Sequence, residues 1–170
     1  GRDRRQRQMC IRDRLFIVYC LMFKSMEPLQ EFYTSEIGQI VRDILSAHIA
    51  EFWSDVHGLR VMGAGYAVPY LDQFMDKGAE RVIAFCPSKN SCSKWPNDGV
   101  HKNLLALADD DMLPLETCSV DRILLVHHLE NCEHMRQGLR EVWRVLKPNG
   151  RLLVIVPNRV GVWARADWSP

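Results

Sequence analysis

Apolar positions follow two rhythms along this 170-residue chain. From Pro28 to Val56 they recur at helical spacing, through Phe32, Ile37, Ile40, Val41, Ile44, Leu45, Ile49 and Phe52 with Trp53, which predicts one or two amphipathic helices. Short apolar runs follow, at Leu59 to Met62, Arg81 to Phe85, Asn103 to Ala108, Val120 to Val126 and Arg151 to Val156. Runs of this length, bounded by turn residues, read as strands covered on both faces. Between the first two, Pro69 near the start and Gly78 just past the end frame a helix. Between the last two, Glu130 to Leu146 places Leu139, Val142, Trp143, Val145 and Leu146 on one side and stops at Pro148-Asn149-Gly150. Cys86 to Lys102 has prolines, serines and asparagines but no apolar period, so this crossover is expected to be mostly irregular. The order predicts an α/β chain, a Rossmann-like three-layer, doubly wound and mostly parallel sheet of about five strands.

The first strand runs into a glycine turn, Leu59-Arg-Val-Met-Gly-Ala-Gly-Tyr-Ala-Val-Pro-Tyr-Leu71. Gly63 and Gly65 allow a tight turn and close approach of a ligand to backbone, and a following helix start offers N–H groups and a positive dipole end. That is the signature of a nucleotide-cofactor loop. Alone it is a weak one; the strand order downstream strengthens it.

Composition excludes little beyond disorder and fibrous classes, with 47% hydrophobic and 25% charged residues. The formal charge of +1 conceals a basic head: Gly1 to Arg14 holds six arginines against two aspartates, leaving 16 basic against 19 acidic residues elsewhere. A mildly acidic body argues against a nucleic-acid footprint. Gln6 to Arg14 resembles translated sequencing-adapter read-through, and residues 1–25 are expected to be artefactual or disordered, with a natural start near Met22 or Met26. Leu15 to Phe23 is too short to cross a bilayer and no signal-cleavage pattern follows it. Six cysteines without a C-x-x-C pair read as reduced thiols, and hence as a cytoplasmic protein.

Five segments, in order, resemble the class I S-adenosylmethionine-dependent methyltransferases of the methyltransferase-11 type. They are Val61-Met-Gly-Ala-Gly-Tyr-Ala67 for the first glycine motif, Asp109-Asp-Asp-Met-Leu-Pro-Leu115 for "D-A-x-x-L-P-F", and Ser119-Val-Asp121 for "S-F-D". His127-His-Leu-Glu-Asn131 matches "H-x-L-E-H", and Leu139-Arg-Glu-Val-Trp-Arg-Val-Leu-Lys-Pro-Asn-Gly-Arg-Leu152 matches "L-R-E-x-x-R-V-L-K-P-G-G-x-L". The glycine segment also resembles the "L-G-x-G-Y-A-x-P-Y-L" pattern of an alphaproteobacterial subgroup. The resemblance implies a domain over residues 26–170 that lacks two of the family's seven strands at its carboxyl end, leaving the fifth strand with a bare edge.

By resemblance, the cofactor is S-adenosylmethionine, held by Gly63, Ala64 and Gly65 at its methionine part, by Cys86 at its ribose, and by Asp109, Asp110 and Met112 at its adenine, with Tyr66 a further cofactor-binding candidate. His127 falls where methyl donor and acceptor meet and is the candidate catalytic residue; for a hydroxyl or amine acceptor, His127 or His128 is the nearest group to remove a proton. Phe32, Tyr33, Trp163 and Trp168 could wall an acceptor pocket. The family's acid before the first glycine is Val61 here, and its acid at the end of the second strand is Cys86.

The resulting reading is methyl transfer to a small-molecule acceptor, without nucleic-acid or membrane partners. A non-catalytic module with weakened cofactor affinity is the alternative, motivated by Val61 and Cys86. A nicotinamide oxidoreductase is the third; it wants a further glycine where Val68 stands and an acid where Cys86 stands. No metal is expected, because His127, His128, Cys132 and His134 should diverge around a helix start.

Overall fold

The computed structural model describes residues 17–18, 26–87, 94–97, 99 and 101–157. Two helices lead: α1 (Met26–Thr34) and α2 (Glu36–Phe52). Ser35 breaks between them, and its hydroxyl accepts the Gly38 N–H at 3.1 Å, the usual first-turn cap. Gly38 is required at this corner, since a Cβ there would fall within 2.0 Å of the Phe32 carbonyl oxygen.

The sheet is parallel throughout, in the order β1-β6-β5-β2-β3-β4. Its strands are β1 (Ile17–Val18), β2 (Arg60–Gly65), β3 (Arg81–Pro87), β4 (Leu105–Ala108), β5 (Val120–Val126) and β6 (Leu146–Ile155). The five strands expected from the apolar runs are all present. Chain order runs outward from β2 through β3 to β4, then jumps back so that β5 lies on the other side of β2. The switch between β2 and β5 opens the crevice where doubly wound sheets bind ligands. Ile17 and Val18, within the segment 1–25, lie beside Val154 and Ile155 on the outer edge of β6.

Alternation along each strand divides the core in two. Val61, Leu124 and Val126 face Leu45 and Ile49 of α2 and Trp53 just past its end, together with Tyr70, Leu71 and Phe74. Met62, Ala64, Ile123 and Leu125 face Val142 and Val145 of the helix between β5 and β6. Three of the apolar positions on α2 do not join this core: Ile37, Ile40 and Ile44 are about half exposed. A helix offers one stripe to a sheet, and here that stripe is centred on Gly38, Leu45 and Ile49.

Two helices are shorter than their patterns predict. After the glycine turn the chain makes a single 3₁₀ turn (Val68–Tyr70) and then α3 (Asp72–Asp76). After β5 it makes another 3₁₀ turn (Leu129–Asn131), and α4 begins only at Met135 and ends at Val145. The delay has a local cause. Glu130 and Asn131 turn their side chains back onto His127, 2.8 Å to Nδ1 and 2.8 Å to its carbonyl oxygen, which holds the chain in a turn. β6 starts directly at Leu146, and the Lys147 to Gly150 stretch is absorbed as a register irregularity opposite Val120 and Arg122.

Candidate active site

The glycine turn caps β2 at the switch point. Strand pairing continues to Gly65, opposite Val126, and Tyr66 N donates to the Val126 carbonyl at 2.7 Å. Gly65 has φ +73°, and a Cβ there would lie 2.3 Å from that same carbonyl oxygen. Only glycine satisfies both conditions. Gly63 is required for a different reason: a Cβ would meet Ala67 Cβ and Leu71 Cδ1 at 2.8 Å, so its bareness lets the following turn pack onto the strand. Ala67, two residues past Gly65, sits in the right-handed region at φ −78°, a conformation that calls for no glycine.

Beside this turn, at the carboxyl ends of β2, β3 and β4, lies a narrow cleft. Met62, Ala64, Phe85, Ala108, Leu113 and Val142 make it apolar, while Asp110 and His128 bring polar groups to it. Between Asp110 and Leu113, Met112 is 73% exposed. The loop carrying these residues is held from α4. Arg144 is bonded through Nε and Nη2 to both oxygens of Glu141, at 2.8 Å each, and donates to the carbonyls of Leu113 and Leu115 at 2.9 and 2.8 Å. Glu141 in turn accepts the Leu113 N–H at 3.1 Å. The hydrogen bonds from Arg144 hold the Glu141 carboxyl below its ordinary range against a smaller opposing effect of burial. Thus Glu141 and Arg144, within the segment Leu139 to Leu152, position the cleft rather than line it.

His127 follows β5 with φ +50°, an uncommon value for a residue with a side chain. Its N–H donates to the Ile155 carbonyl at 3.0 Å, its ring is 1% exposed, and both ring nitrogens are engaged. Nδ1 lies 2.8 Å from Glu130 Oε1, and Nε2 lies 3.1 Å from the hydroxyl of Tyr33 on α1. A tautomer protonated on Nδ1 serves both contacts, with the tyrosine O–H donating to Nε2. Tyr33 also stacks on Tyr66 of the glycine turn, 4.7 Å between centroids. Glu130 Oε2 is buried without a hydrogen-bond partner.

His128 points the other way, into the cleft. Its Nε2 stands 3.6 Å from Asp110 Oδ1, and the Asp110, His128 and Cys132 ligand atoms lie within 4.8 Å of one another. Burial lowers the His128 pKa, outweighing the opposite pull of Asp110 and Glu130. Burial and then the Asp110 side chain push the Cys132 thiol up to about 11. Of the four residues expected to fan out, His127 and His134 do so, His134 being exposed at the start of α4. His128 and Cys132 instead converge on Asp110, a residue of another loop that helical spacing could not pair with them.

Of the residues singled out from sequence, Gly63, Ala64 and Gly65 end β2 and Tyr66 begins the turn, while Asp109, Asp110 and Met112 lie in the loop after β4, from which Asp110 reaches the cleft. Cys86 and Pro87 line the cleft at the end of β3. The expectation of reduced thiols fails at Cys86, which is disulfide-bonded, whereas Cys118 and Cys132 are free. Phe32 is half-buried, and Tyr33 is packed inside rather than facing an open pocket. Trp163 and Trp168 lie outside the described residues. Among the described residues, no helix is long and apolar enough to cross a membrane.

A glycine turn at the switch point of a parallel, doubly wound sheet makes this a Rossmann-like domain with its cleft where such sheets bind ligands. Residues 61–154, more than half of the chain, match the methyltransferase domain of the methyltransferase-11 type, and the chain belongs to that family of S-adenosylmethionine-dependent enzymes. Among curated relatives, it is similar to a ubiquinone/menaquinone biosynthesis C-methyltransferase, UbiE, of Laribacter hongkongensis, 36% identical over 66 residues, covering 39% of this chain and 24% of that protein. It is also similar to a demethylmenaquinone methyltransferase of Corynebacterium efficiens, 42% identical over 57 residues, covering 33% of this chain and 25% of the relative. The matches thus span about a quarter of those relatives. The PH0226 protein of Pyrococcus horikoshii shares the fold, with a TM-score of 0.60 at 19% identity over 71% of this chain and 58% of that one.

Proposed function

We propose that this chain is the cofactor-binding part of an S-adenosylmethionine-dependent methyltransferase acting on a small-molecule acceptor. The observation that carries the reading is the Gly65 turn, seated against the Val126 carbonyl at the switch point of the sheet, with the Asp109 to Leu113 loop and His128 beside it. The residues fit the cofactor at two of its three parts. Backbone of Gly63 to Tyr66 suits the methionine part, and Asp110 with exposed Met112 suits an adenine edge and face. The ribose part fits less well, because Cys86 supplies no carboxylate. Losing a charged acceptor costs about 1.5–3 kcal/mol, or about ten- to a hundred-fold in affinity. The cleft proper has room for about one water molecule, so a nucleoside would lie along its rim.

The cofactor supplies a methyl group on a sulfonium, transferred by in-line displacement. The chain's task is alignment and exclusion of water. His127, buried and engaged at both nitrogens, suits positioning: through Tyr33 it ties α1 to the end of β5. His128, at the cleft and favoured in its neutral form by burial, is the better-placed group to take a proton from a hydroxyl or amine. The names of the curated relatives make a quinone-precursor ring carbon the first acceptor class to try.

Cys86 also favours a second reading, a module that keeps the fold without strong cofactor affinity. Calorimetric titration of S-adenosylmethionine and S-adenosylhomocysteine into the chain separates the two. Micromolar binding, weakened up to about tenfold by Met112→Ala, supports the methyltransferase. A folded chain that binds neither supports the module, and one stabilised by NAD(H) alone supports an oxidoreductase.

A further inference from the structure

We propose that Asp110, His128 and Cys132 form a site for a divalent transition ion of the zinc type, with a fourth position open to the cleft. The three residues offer oxygen, nitrogen and sulfur ligands, a set that suits zinc or cobalt and not the hard cations magnesium or calcium. The Cys132 thiol is hydrogen-bonded to the Asp110 carboxylate, while His128 stands just outside contact with it. At 3.6 Å, His128 Nε2 and Asp110 Oδ1 are too far apart for a hydrogen bond, whereas an ion bonded to each at about 2.0–2.1 Å spans that gap. Small side-chain rotations bring Cys132 Sγ within its own bonding distance, since all three ligand atoms already lie within 4.8 Å of one another.

The backbone keeps this spot clear. Gly138 is buried on α4, and a Cβ there would crowd Cys132 Sγ at 3.2 Å. His128 is 7% exposed in its side chain and so is held in place by its surroundings, while Asp110 at 20% borders solvent and gives an entry path. Asp110 and His128 also line the cleft, where one water molecule has room to complete a tetrahedral set. On binding, the Cys132 thiol gives its proton to solvent and bonds the ion as thiolate. The site shares Asp110 and His128 with the cofactor reading, so an ion and the cofactor compete for this place, and titration with the metal alone tests the site whether or not the cofactor binds.

The experiment is titration of the chain with Co²⁺, followed by absorbance. One ion per chain is expected, with a thiolate-to-cobalt charge-transfer band that Zn²⁺ displaces, that Cys132→Ser abolishes and that Cys118→Ser leaves unchanged. Asp110→Asn, a change at the solvent side that leaves the thiol in place, should retain the band and weaken Co²⁺ binding at least tenfold. A folded chain without the band, a band that survives Cys132→Ser, or an affinity unmoved by Asp110→Asn overturns the proposal.

Discussion

The hydroxyl of Tyr33 lies 3.1 Å from Nε2 of His127, joining residues 94 positions apart. The pair closes α1 over the end of β5, and Glu130 fixes the imidazole from its other side. Tyr33→Phe keeps the stack on Tyr66 and removes one buried hydrogen bond, so it should cost about 1 kcal/mol. His127→Ala should cost more, about 3 kcal/mol or above, because it leaves the buried Glu130 carboxyl without its partner. Urea denaturation of both variants checks the order; equal losses would show that the histidine is not the centre of this contact.

Two glycines share a left-handed backbone but not their surroundings. Gly58→Ala, at φ +68° with open space around it, should lose about 1 kcal/mol from backbone strain alone. Gly65→Ala adds a collision with the Val126 carbonyl and should lose at least about 3 kcal/mol. The difference in denaturation midpoints at constant slope measures the packing part directly.

The Glu141 carboxyl, held low by Arg144, contributes stability that is present above its unfolded value near 4.5 and is lost as pH falls through its depressed folded value. Glu141→Gln should therefore flatten the fall in stability below about pH 4.5 while lowering stability at neutral pH. Arg144→Ala removes bonds to two loop carbonyls as well and should cost about 2–3 kcal/mol. Thermal melts between pH 3 and 7 test both.

With its thiol pushed up to about 11, Cys132 is about one part in a thousand thiolate at pH 8. Alkylation by iodoacetamide, read by peptide mass, should be slow at that pH and rise about tenfold per unit up to pH 10. Rapid modification at pH 7 would contradict the half-buried, carboxylate-flanked setting.

Pattern and spacing sufficed for much of this fold. Val120 to Val126 is a strand with the bounds its apolar run predicts, and the helix cut off before Pro148 ends where its stop signals lie. Local periodicity carries such information because burial on both faces selects continuous apolar runs. It failed at Ile37, Ile40 and Ile44, where more apolar positions exist than one helical stripe can bury.

The site divides in the same way. Gly65 and its turn were legible in the sequence, since a backbone conformation that only glycine tolerates leaves its mark in the residue type. The direction of the two histidines was not. His127 turns to Tyr33 and Glu130, His128 to Asp110 and Cys132, because a single residue at φ +50° reverses the chain just after β5. Sequence by itself determined the succession of β2 to β6 along the chain and the glycine turn, which are local matters of burial period and backbone freedom. Tertiary structure alone decided which side chains meet, because those contacts join α1 to β5 and the loop after β4 to α4, across distances in the chain that no local pattern encodes.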